Sequence, residues 1–274
     1  MNLLLAILVL AAAVAVAVGA MLLVRRKAPA GSYFEDGDRA SGVFGMLATG
    51  FAIFAGFVVF LSFSSYDQSR SGAEAEALVV VQQFETAQFL PLDVRSRLAG
   101  ELVCYGRSVV SQEWPDMEDG TIGDTINPWG VALFETLKLA SPESSAEEAA
   151  YGKWLDQTSD REEGRRDRVH GAAGIVPDSI WLVLFLTAGI VFGYMLFFAD
   201  GAERALSQAM LIGSATAVVT VTLLAIYALD NPYRPGVGSL RPVAMERSLV
   251  LLDQARNAID DTTSLPCDDE GEPL

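Results

Sequence analysis

The chain has 274 residues, 51% of them apolar, 20% charged, and a formal charge of −16. A mean hydropathy of +0.32 beside that charge requires apolar and acidic residues to be segregated along the chain, which excludes an ordinary soluble enzyme and a disordered chain. A pI near 4.4 repels phosphate backbones, so nucleic acid is not an expected partner.

Leu3 to Val24 is an uncharged, proline-free run about 33 Å long as a helix, enough to cross a hydrocarbon core of about 30 Å. It lacks a basic n-region and is longer than a signal-peptide core, so it reads as an uncleaved anchor. Val43–Phe63, Ile180–Phe198 and Leu206–Leu229 are three further runs. The second span does not stop cleanly. Its helical pattern continues to about Phe89, with Gly72 as a possible kink. Pro91 restarts a helix through Glu113, with Leu98, Leu102, Tyr105 and Val109 at helical spacing. The stretch EWPDMEDGTIGDTINPWG, rich in turn formers, reads as a loop. Trp129–Ala140 reads as a short helix. Ser141-Pro142 opens another that runs to about Val169, with a capping-box spacing at Ser144 and Glu147. Pro242–Asp260 is amphipathic, with Leu249, Leu252 and Ile259 on its apolar side.

The fold class expected is therefore all-α integral membrane, with four transmembrane helices and an acidic helical extramembrane domain between spans 2 and 3. The pieces are 1–66 (spans 1 and 2), 67–178 (the acidic domain, with 20 acidic and 10 basic residues over 67–177), 179–230 (spans 3 and 4) and 231–274 (an amphipathic helix and acidic tail). Arg25, Arg26, Lys27 and Arg39 in the first short loop and Arg204 in the last place those loops in the cytoplasm by the positive-inside rule. The large domain and the C-terminus then lie on the outer side of a plasma membrane. Cys104 and Cys267 share that side; they either pair or stand as separate thiols, since spacing alone does not decide.

Enzyme motifs are absent: no phosphate-binding glycine loop, no HExxH, no GxSxG. One histidine, His170, leaves little for a metal centre, and no cofactor or resident metal is expected. Glu113, Asp116, Glu118, Asp119 and Asp124 read first as an ordinary acidic loop and second as oxygen ligands for a divalent cation. The second span carries the small residues Ala48, Ala52 and Gly56 on one stripe, which permits close helix contact in lipid. Its many aromatics include Phe51, Phe54 and Phe63, which with Val58 are the pore-lining candidates if this helix faces an axis. Asp67, Arg70 and Glu74 follow at helical spacing, either as structural ion pairs or as charges at a pore mouth.

The segments FLSFSSYDQSRSGAEAEALVVV, LPLDVRSRLAGELVCYGRSVVSQEWPDM and ALDNPY, in that order, resemble a bacterial membrane family known as domain of unknown function four-two-three-nine and described as bestrophin-like. Its most specific pieces here are Glu113, Trp114 and Pro115, and Asp230, Asn231, Pro232 and Tyr233. More distantly, FSSYDQSR and DNPY are similar to segments of the bestrophins, which are pentameric anion channels. The paired tryptophans expected soon after the acid are missing, as is the acidic cluster after the turn; DDEGE at 268–272 lies far downstream, so calcium gating is not implied. Bestrophins also place the large segment in the cytoplasm, opposite to the charge-based topology. The resemblance implies a homo-oligomer, a pentamer, conducting inorganic ions through the bilayer. The other reading is a non-conducting scaffold or sensor whose acidic domain binds a partner or a cation.

Overall fold

The computed structural model describes residues 2–29, 32–121 and 127–274. Nine α-helices are found among them: α1 (Leu3–Arg25), α2 (Gly37–Ala87), α3 (Leu92–Ser108), α4 (Trp114–Glu118), α5 (Pro128–Leu137), α6 (Ser145–His170), α7 (Asp178–Leu196), α8 (Ala205–Asp230) and α9 (Val243–Ala258). A π-helical turn, Val109–Glu113, joins α3 to α4. No strand occurs among the described residues, only an isolated bridge between Cys267 and Pro273. Four helices, α1, α2, α7 and α8, are long and apolar enough to cross a membrane.

The chain divides into two compact units. The first comprises Met1–Ser65, Ile175–Asp230 and Pro235–Gly238. Here α1 packs along α8 through Ala17, Met21 and Ile212. The first part of α2 packs on α7 and α8 through Phe51, Ala55, Val58, Leu184, Val191 and Ile226. Leu4, Leu8, Leu182, Leu186 and Leu206 stay exposed, as side chains facing lipid are. At one end of the unit, Phe34 stacks on Tyr194 at 5.2 Å and meets Phe198 at 5.0 Å. The Arg25 guanidinium donates to the carbonyls of Asp200 (3.2 Å) and Gly201 (3.3 Å) and to that of Glu203, tying the end of α1 to the turn between α7 and α8.

The second unit comprises Tyr66–Gly174, Asn231–Arg234 and Ser239–Leu274. Its centre is α3, whose Leu98, Leu102, Cys104 and Tyr105 are buried. Residues 239–274 cluster with this unit. In α9, Leu252 is buried, Leu249 packs against the core, and Ile259 lies just beyond the helix and is exposed. The expected capping box opens α6: Glu147 N–H donates to Ser144 Oγ at 3.2 Å and Ser144 N–H to Glu147 Oε2 at 2.9 Å.

The helical pattern expected to continue past Gly72 does so, α2 being one 51-residue helix through that glycine. The glycine is a contact point. A Cβ on Gly72 would lie 2.5 Å from the backbone nitrogen of Arg168, and a Cβ on Gly164 would lie 2.7 Å from that of Glu76. The two glycines let α2 and α6 cross backbone to backbone. One reading of the sequence needs correction: EWPDM is not loop but helical, Glu113 closing the π turn and Trp114–Met117 lying in α4. A proline inside a helix clashes with the carbonyl four residues back. The π turn before Pro115 widens the helix there, with Trp114 N–H donating to the Val109 carbonyl five residues back. Residues 122–126 of that stretch lie outside the described residues.

Candidate functional site

Two places hold the residues that the sequence singles out. One is α2 in the first unit. Its buried side is a line at heptad spacing: Phe51, Ala55, Val58, Ser62 and Ser65. Phe51 is 8% exposed and Val58 4%, both packed within the protomer, with Phe54 half-buried beside them. These three therefore stand on the packed side of the helix rather than on its exposed one. The outward line is Met46, Gly50, Ile53, Phe57 and Phe60, with Ile53 69%, Phe57 59% and Phe60 64% exposed. Phe63 is also exposed. The aromatics alone gave no sign of which face was which, because phenylalanine stands on both.

The other place is a polar network inside the second unit. Arg168 of α6 and Glu76 of α2 are both fully buried. The Arg168 guanidinium donates through Nε to Glu76 Oε2 and through Nη2 to Glu76 Oε1 at 3.1 Å and Glu113 Oε2 at 2.6 Å. Its Nη1 lies 3.5 Å from Met117 Sδ. Tyr105 OH donates to Glu76 Oε1 at 2.6 Å. Glu113 also receives Arg165 Nε at 3.2 Å and Asn127 Nδ2 at 2.9 Å. Two helical turns before Arg168, Arg161 lies over the Tyr105 ring at 4.9 Å and donates to Gln83 Oε1 at 2.9 Å. A buried charge of this kind persists only when paired and hydrogen-bonded on all sides, as it is here.

Three of the family-motif residues, Glu113, Trp114 and Tyr233, meet at this network. Trp114 packs edge-on against Tyr233 at 5.4 Å and lies under the Arg168 guanidinium at 5.9 Å. Tyr233 OH donates to the Arg168 carbonyl, and Leu240 N–H to that of Pro232 at 2.8 Å. Asp230, in the first unit, has a different task. Its Oδ1 accepts the N–H groups of Ile175 and Val176 at 2.8 Å each, just ahead of α7. Asp67 is exposed, and Arg70 and Glu74 form an exposed ion pair at 3.1 Å. His170 is exposed at the end of α6. Among the described residues no group of acidic, histidine or cysteine side chains is placed to hold a metal. Glu113 is occupied by arginines, and Asp124 lies outside the described residues.

Burial pushes Tyr105 well above its ordinary value, and the neighbouring Glu76 adds to this, so its hydroxyl remains a donor. Burial likewise takes Tyr233 up to about 12. For Glu113 burial acts upward too, but Arg168 and Arg165 override it and hold the carboxyl below its ordinary 4.5. A depressed carboxyl contributes stability that is complete above its unfolded value and is lost as pH falls through the folded one. Thermal unfolding of the detergent-solubilised protein, followed by tryptophan fluorescence, is therefore expected to show Tm falling below pH 4.5. Glu113→Gln flattens that fall and lowers Tm at pH 7. Equal acid sensitivity in the two proteins would remove Glu113 from this role.

Cys104 and Cys267 are disulfide-bonded, with Cα atoms 5.8 Å apart. The tail around Cys267 lies on α3 and the π turn. Arg107 Nη1 donates to the Asp268 carbonyl at 2.8 Å, Trp129 Nε1 to that of Gly271 at 2.6 Å, and Gln112 Nε2 to that of Glu270 at 3.1 Å. Gly271 has φ +81, and a Cβ on it would lie 2.5 Å from Ser108 N, so only glycine fits this approach.

Comparison with known proteins bears on this arrangement. No curated protein matches the chain. Among solved structures, a mutant of a bacterial bestrophin homologue from Klebsiella pneumoniae superposes with a TM-score of 0.68 at 15% identity, over 89% of this chain and 98% of that one. A second structure of the Klebsiella pneumoniae homologue gives 0.65 at 14% identity, over 88% and 97%. A variant described only as a membrane protein gives 0.68 at 14%, over 88% and 97%. At such identities the likeness is one of fold. A model of the bestrophin-like domain matches residues 11–245, most of the length and both motif segments, and on that match the chain belongs to the bestrophin-like family.

Proposed function

We propose that the protein is a homo-oligomeric, bestrophin-like ion channel whose pore is lined by the outward face of α2. The observation that carries this is the continuous exposed line Met46, Gly50, Ile53, Phe57 and Phe60, opposite a buried line on the same helix. A span with one face packed and the other bare and aromatic suits an apolar constriction that gates by dewetting. The family membership and the fold shared with bestrophin homologues support the same reading, and by resemblance the assembly is a pentamer. Phe63, exposed near the end of this line, remains among the candidates, and Asp67, Arg70 and Glu74 are candidate charges along the permeation path.

The large acidic unit lies outside the cytoplasm in this reading. The basic residues Arg25, Arg26, Lys27, Arg39 and Arg204 support that orientation, and so does the disulfide in the second unit, a bond that persists in oxidising compartments.

The test is flux of potassium and of chloride, measured separately, from liposomes holding the purified protein. Phe57→Ser is expected to change flux at least severalfold, and Leu186→Ser on the exposed face of α7 to leave it near wild type. Absence of flux of either ion from a folded oligomer, across a range of pH and calcium, would leave a non-conducting scaffold.

A further inference from the structure

The second unit holds a cavity of about 250 Å³ that shares no residue with the buried arginine network. It is smaller than the sites that take drug-sized molecules and suits a compact ligand. Gln88 just past α2, Arg95 and Ser96 on α3, and Asp260, Thr262 and Thr263 after α9 line it. Of its lining only Ala99 and Ile259 are apolar. Gln88 Nε2 donates to the Phe84 carbonyl at 3.2 Å, which leaves Oε1 as an acceptor.

The wall after α9 is fixed by its own bonds. The Asp261 side chain is 9% exposed and accepts Arg256 Nε and the Thr263 N–H, both at 3.1 Å. Asp261 N–H donates to the Arg256 carbonyl at 3.0 Å. Asp260, between α9 and that clasp, is held at φ +53, a left-handed conformation that aspartate tolerates and most residues avoid. Asp260 is exposed and Arg95 half-buried, and neither side chain has an ion pair or hydrogen bond among the described residues. With Asp261 neutralised by Arg256, the cavity carries one unpaired cation and one unpaired carboxylate, too far apart to pair with each other.

We infer that this cavity binds a free α-amino acid with a polar side chain. Its carboxylate takes the Arg95 guanidinium, whose planar donors match a carboxylate, and its ammonium donates to Asp260. Ser96, Thr262 and Gln88 Oε1 remain for the ligand's side chain. A long aliphatic side chain has little to pack on here. Inorganic phosphate would meet Arg95 but set its charge beside Asp260 and Asp261. A divalent cation would meet the guanidinium, and no group of ligands placed to hold a metal occurs among the described residues. Occupancy of this cavity needs no pore.

Equilibrium dialysis of the intact detergent-solubilised protein against radiolabelled serine, threonine, asparagine and glutamine, one at a time, tests this. Saturable binding of at least one is expected, at least about tenfold tighter than that of leucine. Matched compounds lacking the carboxylate or the ammonium (for serine, ethanolamine and hydroxypropanoate) bind at least about tenfold more weakly. Arg95→Gln and Asp260→Asn each weaken binding by a similar factor at unchanged Tm, since asparagine also tolerates the left-handed backbone. Arg166→Gln, which removes an exposed cation from α6, leaves binding within about twofold. Binding of none of the four amino acids overturns the proposal. So does binding that survives loss of either charge, or equal affinity for leucine. Tighter binding of inorganic phosphate assigns Arg95 to an anion, and tighter binding of calcium assigns the carboxylates to a cation; either overturns it as well.

Discussion

Arg168→Leu is expected to destabilise the second unit by about 3–5 kcal/mol, the cost of stranding a buried charge. The size follows from what the arginine leaves behind. Glu76 is fully buried and its guanidinium partner is Arg168, with Tyr105 supplying the remaining hydrogen bond. Glu113 loses its shorter arginine contact and keeps Arg165 and the Asn127 amide. Leucine fills most of the space and answers neither carboxylate. The control removes both charges. In Glu76→Leu/Arg168→Leu the stranded charge is gone, and a buried pair replaced by apolar groups is often near neutral. The double variant is therefore expected to be more stable than Arg168→Leu alone, a coupling read from denaturant midpoints in one detergent. A loss below about 1 kcal/mol in the single variant would mean that the network is ornamental to the fold.

That network shows where the sequence is legible and where it is not. Uncharged runs of bilayer length announce the four apolar helices, and the expected bounds fall within a few residues of α1, α7 and α8. Leu98, Leu102, Tyr105 and Val109 announce the face of α3 that is buried. By contrast, the buried line of α6 is Ala150, Trp154, Gln157, Arg161, Gly164 and Arg168. It has heptad spacing but almost no apolar residues, and within REEGRRDR it reads as a solvated charge run. Glu76, in the middle of a helix that reads as partly exposed, carries no local signal either. A weak one existed: Gly72 and Gly164 are small residues within long helices, and Glu76 and Arg168 follow each of them by four. Spacing of that kind becomes information only once the helices are known to cross. Pro115 misled in the opposite direction, because a π turn that accommodates a proline leaves no mark in composition.

Breaking the Cys104–Cys267 bond, by reduction or as Cys267→Ser, is expected to cost about 2–5 kcal/mol. The bond joins positions 163 residues apart, so the unfolded chain regains the freedom of a long loop. The chain-entropy treatment gives about 5 kcal/mol for such a loop, at the top of the range. The tail's other ties temper this only partly. Arg107 to Asp268 and Trp129 to Gly271 hold the folded tail in place but do nothing to restrain the unfolded chain. Unfolding midpoints with and without reductant give the size. The same bond reports which side of the membrane the unit occupies, because thiols in the cytoplasm are kept reduced. Cells are quenched in acid, denatured and treated with a polyethylene-glycol maleimide. With the acidic unit outside, wild-type protein is expected to run unshifted until reductant is added, and then to shift by two additions, since the chain has two cysteines. Two additions without reductant would place the unit in the cytoplasm, as in the bestrophins, and would mean that the five basic residues of the short loops had been given too much weight.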